Sequence, residues 1–165
     1  MIRATAQEHT AGKLVICPTP LGNLGDMPPR ARTSLETCDV VYCEDTRVTG
    51  KLLAALGIQK RLERLDEASL AQKADSALDR VEAGECVCYC SDAGMPGVSD
   101  PGQRLIERAY ERGLAVEVLP GGTAVATAYV ASGFTAPCFY FGGFFPRKAG
   151  ERAAVLESLR ALDAV

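Results

Sequence analysis

The residues best suited to chemistry in this sequence are acids set among glycines and prolines. Ser91-Asp-Ala-Gly-Met-Pro-Gly-Val-Ser-Asp-Pro-Gly102 holds two carboxylates, Asp92 and Asp100, and no cationic side chain. Glu44-Asp-Thr-Arg47 sets two more acids beside an arginine. Pro18-Thr-Pro-Leu-Gly-Asn-Leu-Gly-Asp26 and Pro120-Gly-Gly-Thr123 also lack lysine and arginine. Glycines let a backbone approach a ligand closely, and a pocket of acids and open carbonyls suits a cationic small molecule better than a phosphate. The same acids suit plainer work. Asp92 and Asp100 can cap turns or a helix, and Glu44–Arg47 can be an ordinary helix start with Thr46 as its cap.

Other chemistries are excluded by type and spacing. The only histidine, His9, lies in a polar leading stretch, so neither a Ser-His-Asp triad nor a Cys-His pair can be assembled around it. No GxGxxG follows the first apolar run and no Gly-Lys-Ser/Thr closes a glycine-rich loop, so the dinucleotide and P-loop signatures are missing. Seven cysteines include no CxxC pair. Cys86, Cys88 and Cys90 alternate with Val87 and Tyr89 and therefore share one strand face. Same-face strand neighbours lie roughly 6–7 Å apart and do not converge on one metal, so these cysteines read as small core hydrophobes and no metal site is expected.

The elements that must carry these loops follow from periodicity. Leu14–Cys17, Asp39–Cys43, Arg61–Leu65, Cys86–Cys90, Ala115–Leu119 and Cys138–Phe141 read as strands, with the polar Arg61–Leu65 at an edge. Helical patterns alternate with them. Pro28 opens one to about Thr37, and another runs from the Glu44 group through Leu56 to Gly57. Leu70, Ala74, Ala77, Leu78 and Val81 share a helical face ended by Gly84. Further helices are expected over Gln103–Arg112, near Thr123–Ser132, and through Val155, Leu156, Leu159 and Leu162. Strict alternation predicts an α/β fold: a mostly parallel sheet of about five strands with helices on both faces. Ligands then gather at the carboxyl ends of the strands, where all four loops fall.

At 165 residues, 47% hydrophobic and 24% charged, the chain has the composition of a soluble globular protein. Its net charge of −3 argues against nucleic-acid binding over the whole surface, though Arg147, Lys148 and Arg152 form a local basic patch. Met1–Lys13 has no apolar signal-peptide core. Thr123–Pro146 is uncharged and long enough to span a bilayer, but Gly133, Pro137, Gly142 and Gly143 interrupt it, so a buried helix followed by a buried strand is the better reading.

Taken together, Pro18-Thr-Pro-Leu-Gly-Asn23, Glu44-Asp-Thr-Arg47, Ser91-Asp-Ala-Gly94 with Pro96, Asp100-Pro-Gly102, Leu119-Pro-Gly121 and Gly142-Gly-Phe-Phe-Pro-Arg-Lys148 resemble, in order and spacing, the amino-terminal half of the ribosomal RNA small subunit methyltransferase I family of the tetrapyrrole methylase superfamily. The resemblance covers Leu14 to about Lys148 and implies S-adenosylmethionine-dependent 2′-O-methylation of a cytidine in 16S rRNA. It places cofactor contacts on Leu21, Asp92, Ala93, Gly94, Met95, Val98, Thr123 and Ala124. For the ribose hydroxyl it leaves Glu44, Asp45, Asp92 and Asp100 as proton acceptors, with Glu44, Asp45 and Arg47 favoured for substrate contact. The partners it implies are 16S rRNA in the small ribosomal subunit and a second copy of the chain, in the cytoplasm, with no membrane and no DNA.

Three departures stand against the family pattern. Leu65-Asp-Glu-Ala-Ser69 replaces a segment that usually carries His and Asn, Met95 and Gly122 stand where Thr and Pro are common, and the 165 residues are expected to correspond to the family's first domain without its second. The expected organisation is a flexible tail at 1–13, a tetrapyrrole methylase-like domain at 14–148, and a helix at 149–165 leading toward that second domain. A tetrapyrrole or corrinoid methyltransferase, and a non-catalytic truncated domain or dimerisation module, are the competing readings.

Overall fold

The computed structural model describes residues 12–162 and 164. By contacts the chain divides into one unit ending at Gly122 and another beginning at Thr123. Most of the expected tail, with His9, lies outside the described residues.

The first unit is built on five strands, β1 (Lys13–Ile16), β2 (Val40–Cys43), β3 (Leu62–Arg64), β4 (Cys86–Cys90) and β5 (Ala115–Val118). They form one sheet in the order β3-β2-β4-β1-β5, with every pairing parallel. β4 is central: Cys88 stands beside Val15 of β1 and Val41 of β2. Four helices connect the strands: α1 (Pro29–Thr37), α2 (Thr46–Ala55), α3 (Glu67–Glu82) and α4 (Gly102–Glu111).

The strand order dictates the layers. The connections β1 to β2 and β2 to β3 run one way across the sheet, and those from β3 to β4 and β4 to β5 run the other. Crossovers of one hand therefore put α1 and α2 on one face and α3 and α4 on the other. The core divides accordingly. Ala31, Leu35 and Leu53 pack with Val15, Cys17, Val41, Cys43, Cys88 and Cys90 on one side. On the other, the α3 stripe Leu70, Ala74, Ala77, Leu78 and Val81 meets Leu105 and Ala109 of α4 over Leu14, Ile16, Val40, Tyr42, Val87 and Tyr89. Cys88 and Cys90 are fully buried, as core residues of their size should be. Arg108 clamps both Asp75 carboxylate oxygens, at 2.6 and 2.7 Å, and Arg112 reaches Asp79 and Glu82, so α3 and α4 are also laced at the surface.

In the second unit, α5 (Ala124–Ser132) forms as the sequence predicts, whereas α6 (Ala149–Leu159) ends before the expected Leu162. Two further expectations fail there. Cys138–Phe141 is not a strand, and α5 carries no buried residue. An apolar run marks a need for cover, whereas a strand also needs a ladder partner, and within the described residues this segment has none. Phe134, Phe139, Tyr140, Phe141 and Phe144 are exposed. Among the described residues no helix is long and apolar enough to cross a membrane.

Candidate active site

The loops leaving β1, β2, β4 and β5 meet at the carboxyl edge of the first unit's sheet, and each is tied to a neighbour. Thr19 and Gly94 exchange backbone hydrogen bonds at 2.9 and 3.1 Å, while the Thr19 hydroxyl donates to the Ser91 carbonyl at 3.2 Å. The first and third loops are thereby zipped together. The Asp45 N–H donates to Asp92 Oδ1 at 3.2 Å, and the Asp92 N–H donates to Glu44 Oε1 at 3.1 Å, so the second and third loops are laced reciprocally.

Glycine sets how closely the loops approach. Gly94 has φ of +81°, and a Cβ there would stand 2.9 Å from Leu21 Cδ2. A Cβ on Gly121 would fall 2.2 Å from Cβ of Pro18, so the fourth loop lies directly on the first. Leu21 and Gly94 are thus in contact, with Gly122 alongside. Leu21 and Val98 are each 39% exposed and offer apolar surface. Thr123 and Ala124 open the second unit, where the Thr123 hydroxyl accepts the Ala126 N–H at 3.1 Å and caps α5.

The four acids have different duties. Asp45, not Thr46, caps α2: its Oδ1 accepts the Arg47 N–H at 2.8 Å while the Arg47 guanidinium grips both of its oxygens. That guanidinium first, and the Arg47 N–H second, hold the Asp45 carboxyl well below the usual carboxylate range, which makes it a poor base. Arg47 itself is 85% exposed. Asp100 folds the third loop onto α4. Its carboxylate accepts the Gly97 N–H at 2.8 and 2.9 Å and the Gly102 N–H at 2.8 Å, across a Ser99 held at φ of +70°. Glu44 differs from both. Burial, chiefly, pushes its carboxyl up, and repulsion from Asp100, Asp92 and Asp66 pushes the same way against the Asp92 N–H.

Glu44 and Asp100 border an open cleft of about 660 Å³ shared with Asp66, Ser99, Gln103 and Arg104. Below it the Tyr89 ring touches the position a Gly102 side chain would take. The Tyr89 hydroxyl is fully buried and has no hydrogen-bond partner among the described residues. Its ionisation is pushed up by burial first and then by Asp100 and Glu44. The structure brings the expected Glu44 and Asp100 to one cleft. Sequence reasoning missed Asp66, which caps α3 in a reciprocal arrangement with Ser69, and Arg104, which pairs with Glu67 at 2.5 Å. The available signal was that Leu65-Asp66 also follows a strand.

Residues 13–162 match the family model for tetrapyrrole (corrin/porphyrin) methylases. The chain belongs to that family. It is 40% identical to the ribosomal RNA small subunit methyltransferase I of Mesorhizobium japonicum, over 92% of this chain and 51% of the relative. To the protein of that name from Neisseria meningitidis serogroup B it is 43% identical, over 92% of this chain and 52% of the relative. The chain spans about half the length of the curated relatives it matches. Its fold is similar to that of a solved diphthine synthase, with a TM-score of 0.72 at 16% identity, covering 92% of this chain and 61% of that one. A uroporphyrin-III-C-methyltransferase from Thermus thermophilus gives 0.58 at 23% identity, covering 76% and 53%.

Proposed function

We propose that this chain is the cofactor-holding half of an S-adenosylmethionine-dependent methyltransferase that modifies the 2′-hydroxyl of a cytidine in 16S rRNA. The names of the relatives supply the RNA class. The observation that carries the chemistry is Glu44, a partly desolvated carboxylate whose Oε1 is fastened to the glycine-walled third loop by the Asp92 N–H. Leu21, Asp92, Ala93, Gly94, Met95 and Val98 are the first unit's candidates for holding the cofactor, while Thr123 and Ala124 are candidates by family resemblance alone. Close backbone approach at Gly94, apolar surface at Leu21 and Val98, and acids without lysine suit an adenosine bearing a sulfonium and no phosphate.

When bound, S-adenosylmethionine supplies an electrophilic methyl group. The protein's part is to align the ribose oxygen, exclude water and accept its proton. Glu44 is the favoured acceptor because its raised pKa brings it nearer the working pH. Asp45 fixes Arg47 at the start of α2, where the exposed guanidinium can meet a phosphate. Asp100 shapes the loop. Arg147, exposed Lys148 and Arg152 offer further cations for RNA. A homodimer acting in the cytoplasm belongs to the same reading, which the exposed Leu156 of α6 favours.

The test is calorimetric titration with S-adenosylhomocysteine, for this chain and for one extended past Val165, followed by methylation of small subunits lacking the modification. Binding by the extended chain and a ribose-methyl product are expected. Methyl transfer to a tetrapyrrole instead would overturn the substrate class, and failure of both chains to bind would overturn the methyltransferase reading.

A further inference from the structure

The sheet edge remote from the loops gathers thiols and lysines. Lys13 and Cys86 are register partners at the starts of β1 and β4 and so share a face. The Lys13 ammonium also reaches Glu117 at 2.7 Å. Beside Cys86 on its other flank runs Asp39, whose N–H donates to the Cys86 carbonyl at 2.9 Å and whose carboxylate accepts the Cys86 N–H at 2.8 Å. Cys38 precedes Asp39, and Lys60 Nζ donates to the Cys38 carbonyl at 2.6 Å. Strand spacing sets the Cys38 and Cys86 Cα atoms roughly 6 Å apart, within the span of about 4.4–6.8 Å that a disulfide bridges. Cys88, two residues along and fully buried, completes the group with its sulfur 3.7 Å from that of Cys17.

Only Cys86 among these four is partly exposed. Its thiol is lowered to about 7, first because the Cys88 thiol hydrogen-bonds to it and then because Lys13 lies near; burial, Asp39 and Glu117 act against this. The Cys88 thiol and Lys60 lower Cys38 likewise.

We propose that Cys86 is a peroxide-reactive thiol with Cys38 as its resolving partner, forming an oxidisable site on the sheet edge away from the cofactor loops. The Cys86 thiolate attacks one oxygen of hydrogen peroxide, the O–O bond breaks, and hydroxide leaves to be protonated to water. The Cys38 thiolate then attacks the resulting sulfenic sulfur, the S–O bond breaks, and a second water departs. Two electrons pass from the two sulfurs to the peroxide, leaving a Cys38–Cys86 disulfide. A lowered pKa raises the thiolate fraction of Cys86 at neutral pH, and the weaker nucleophilicity of that thiolate takes back part of the gain.

The experiment treats the reduced full chain with hydrogen peroxide, with and without dimedone, and maps products by peptide mass spectrometry. Expected are a dimedone adduct on Cys86 and, without the trap, a Cys38–Cys86 peptide reversed by dithiothreitol. Cys38→Ser should leave the Cys86 sulfenic acid to accumulate, and the exposed Lys13→Met should slow Cys86 oxidation by up to about twofold, because the Cys88 thiol remains, with its circular dichroism unchanged. Oxidation confined to the exposed Cys138, a disulfide lacking Cys38, or an unaltered rate in Lys13→Met would each overturn the assignment.

Discussion

Replacing Asp100 by Asn separates a loop-building acid from a catalytic one. The Asp100 carboxylate holds the Gly97 and Gly102 N–H groups, the latter at the start of α4. Asn keeps the size but removes the charge and leaves one carbonyl oxygen for both donors. Hydrogen bonds to charged acceptors contribute roughly 1.5–3 kcal/mol against about 1 kcal/mol for neutral ones, and a negative charge at a helix start adds about 0.3–1 kcal/mol. The expected loss is therefore about 2–3 kcal/mol, or a fall of roughly 4–12 °C in Tm for a chain of this size. Because Ala93–Val98 belongs to the same loop, S-adenosylhomocysteine affinity should fall about tenfold, equivalent to roughly 1.4 kcal/mol of added ordering cost. Thermal denaturation and calorimetric titration of the same preparation read both quantities. A variant that melts and binds like the parent yet cannot transfer methyl groups would refute the structural role and return Asp100 to the list of bases.

Glu44→Gln should lower methyl transfer by about 10²- to 10⁴-fold, as loss of a general base does, with cofactor affinity nearly unchanged; equal loss of affinity would make Glu44 a binding residue. Its raised folded-state pKa also has a sign. The stability linked to it is fully present below the unfolded carboxyl value of about 4.3 and is lost as pH rises through the folded one. Urea titrations across that window should accordingly show a flatter pH profile for Glu44→Gln. Gly121→Ala drives a methyl to 2.2 Å from the Pro18 ring and should cost about 1–3 kcal/mol, typical of overpacking against a rigid neighbour; an unchanged melting point would mean that the first and fourth loops do not touch. Tyr89→Phe removes a buried hydroxyl without a partner and should raise stability by about 1 kcal/mol. A loss of that size would instead show that the hydroxyl is bonded to a carboxylate above it.

The first unit was legible because its signals are local and redundant. Short apolar runs place four of the five strands, the polar β3 follows as an edge strand, and the α3 stripe from Leu70 to Val81 is buried as spaced. Loop identities could be read, but their partners could not. Nothing in the spacing of Asp92 says that it joins Glu44 and Asp45, since that contact depends on β2 and β4 being neighbours. The duty of Asp100 was similarly undetermined, because turn building and proton transfer use the same residue type. Cys138–Phe141 failed for a different reason: a short apolar run records hydrophobicity and says nothing about whether a ladder partner exists.

The strand order also bears on synthesis. β2 and β3 are ladder neighbours and can pair as soon as α2 has been made, whereas β1 pairs only with β4 and β5. Its apolar Leu14-Val15-Ile16 must therefore wait for Cys86–Cys90, about 70 residues later, which at typical elongation rates is roughly 4–14 s of unpaired life on the ribosome. A nascent chain arrested before Cys86 should be cut by protease near β1 and spared once β4 has emerged. The strand that binds the sheet together is the one that ends the first strand's exposure to chaperones and to other nascent chains.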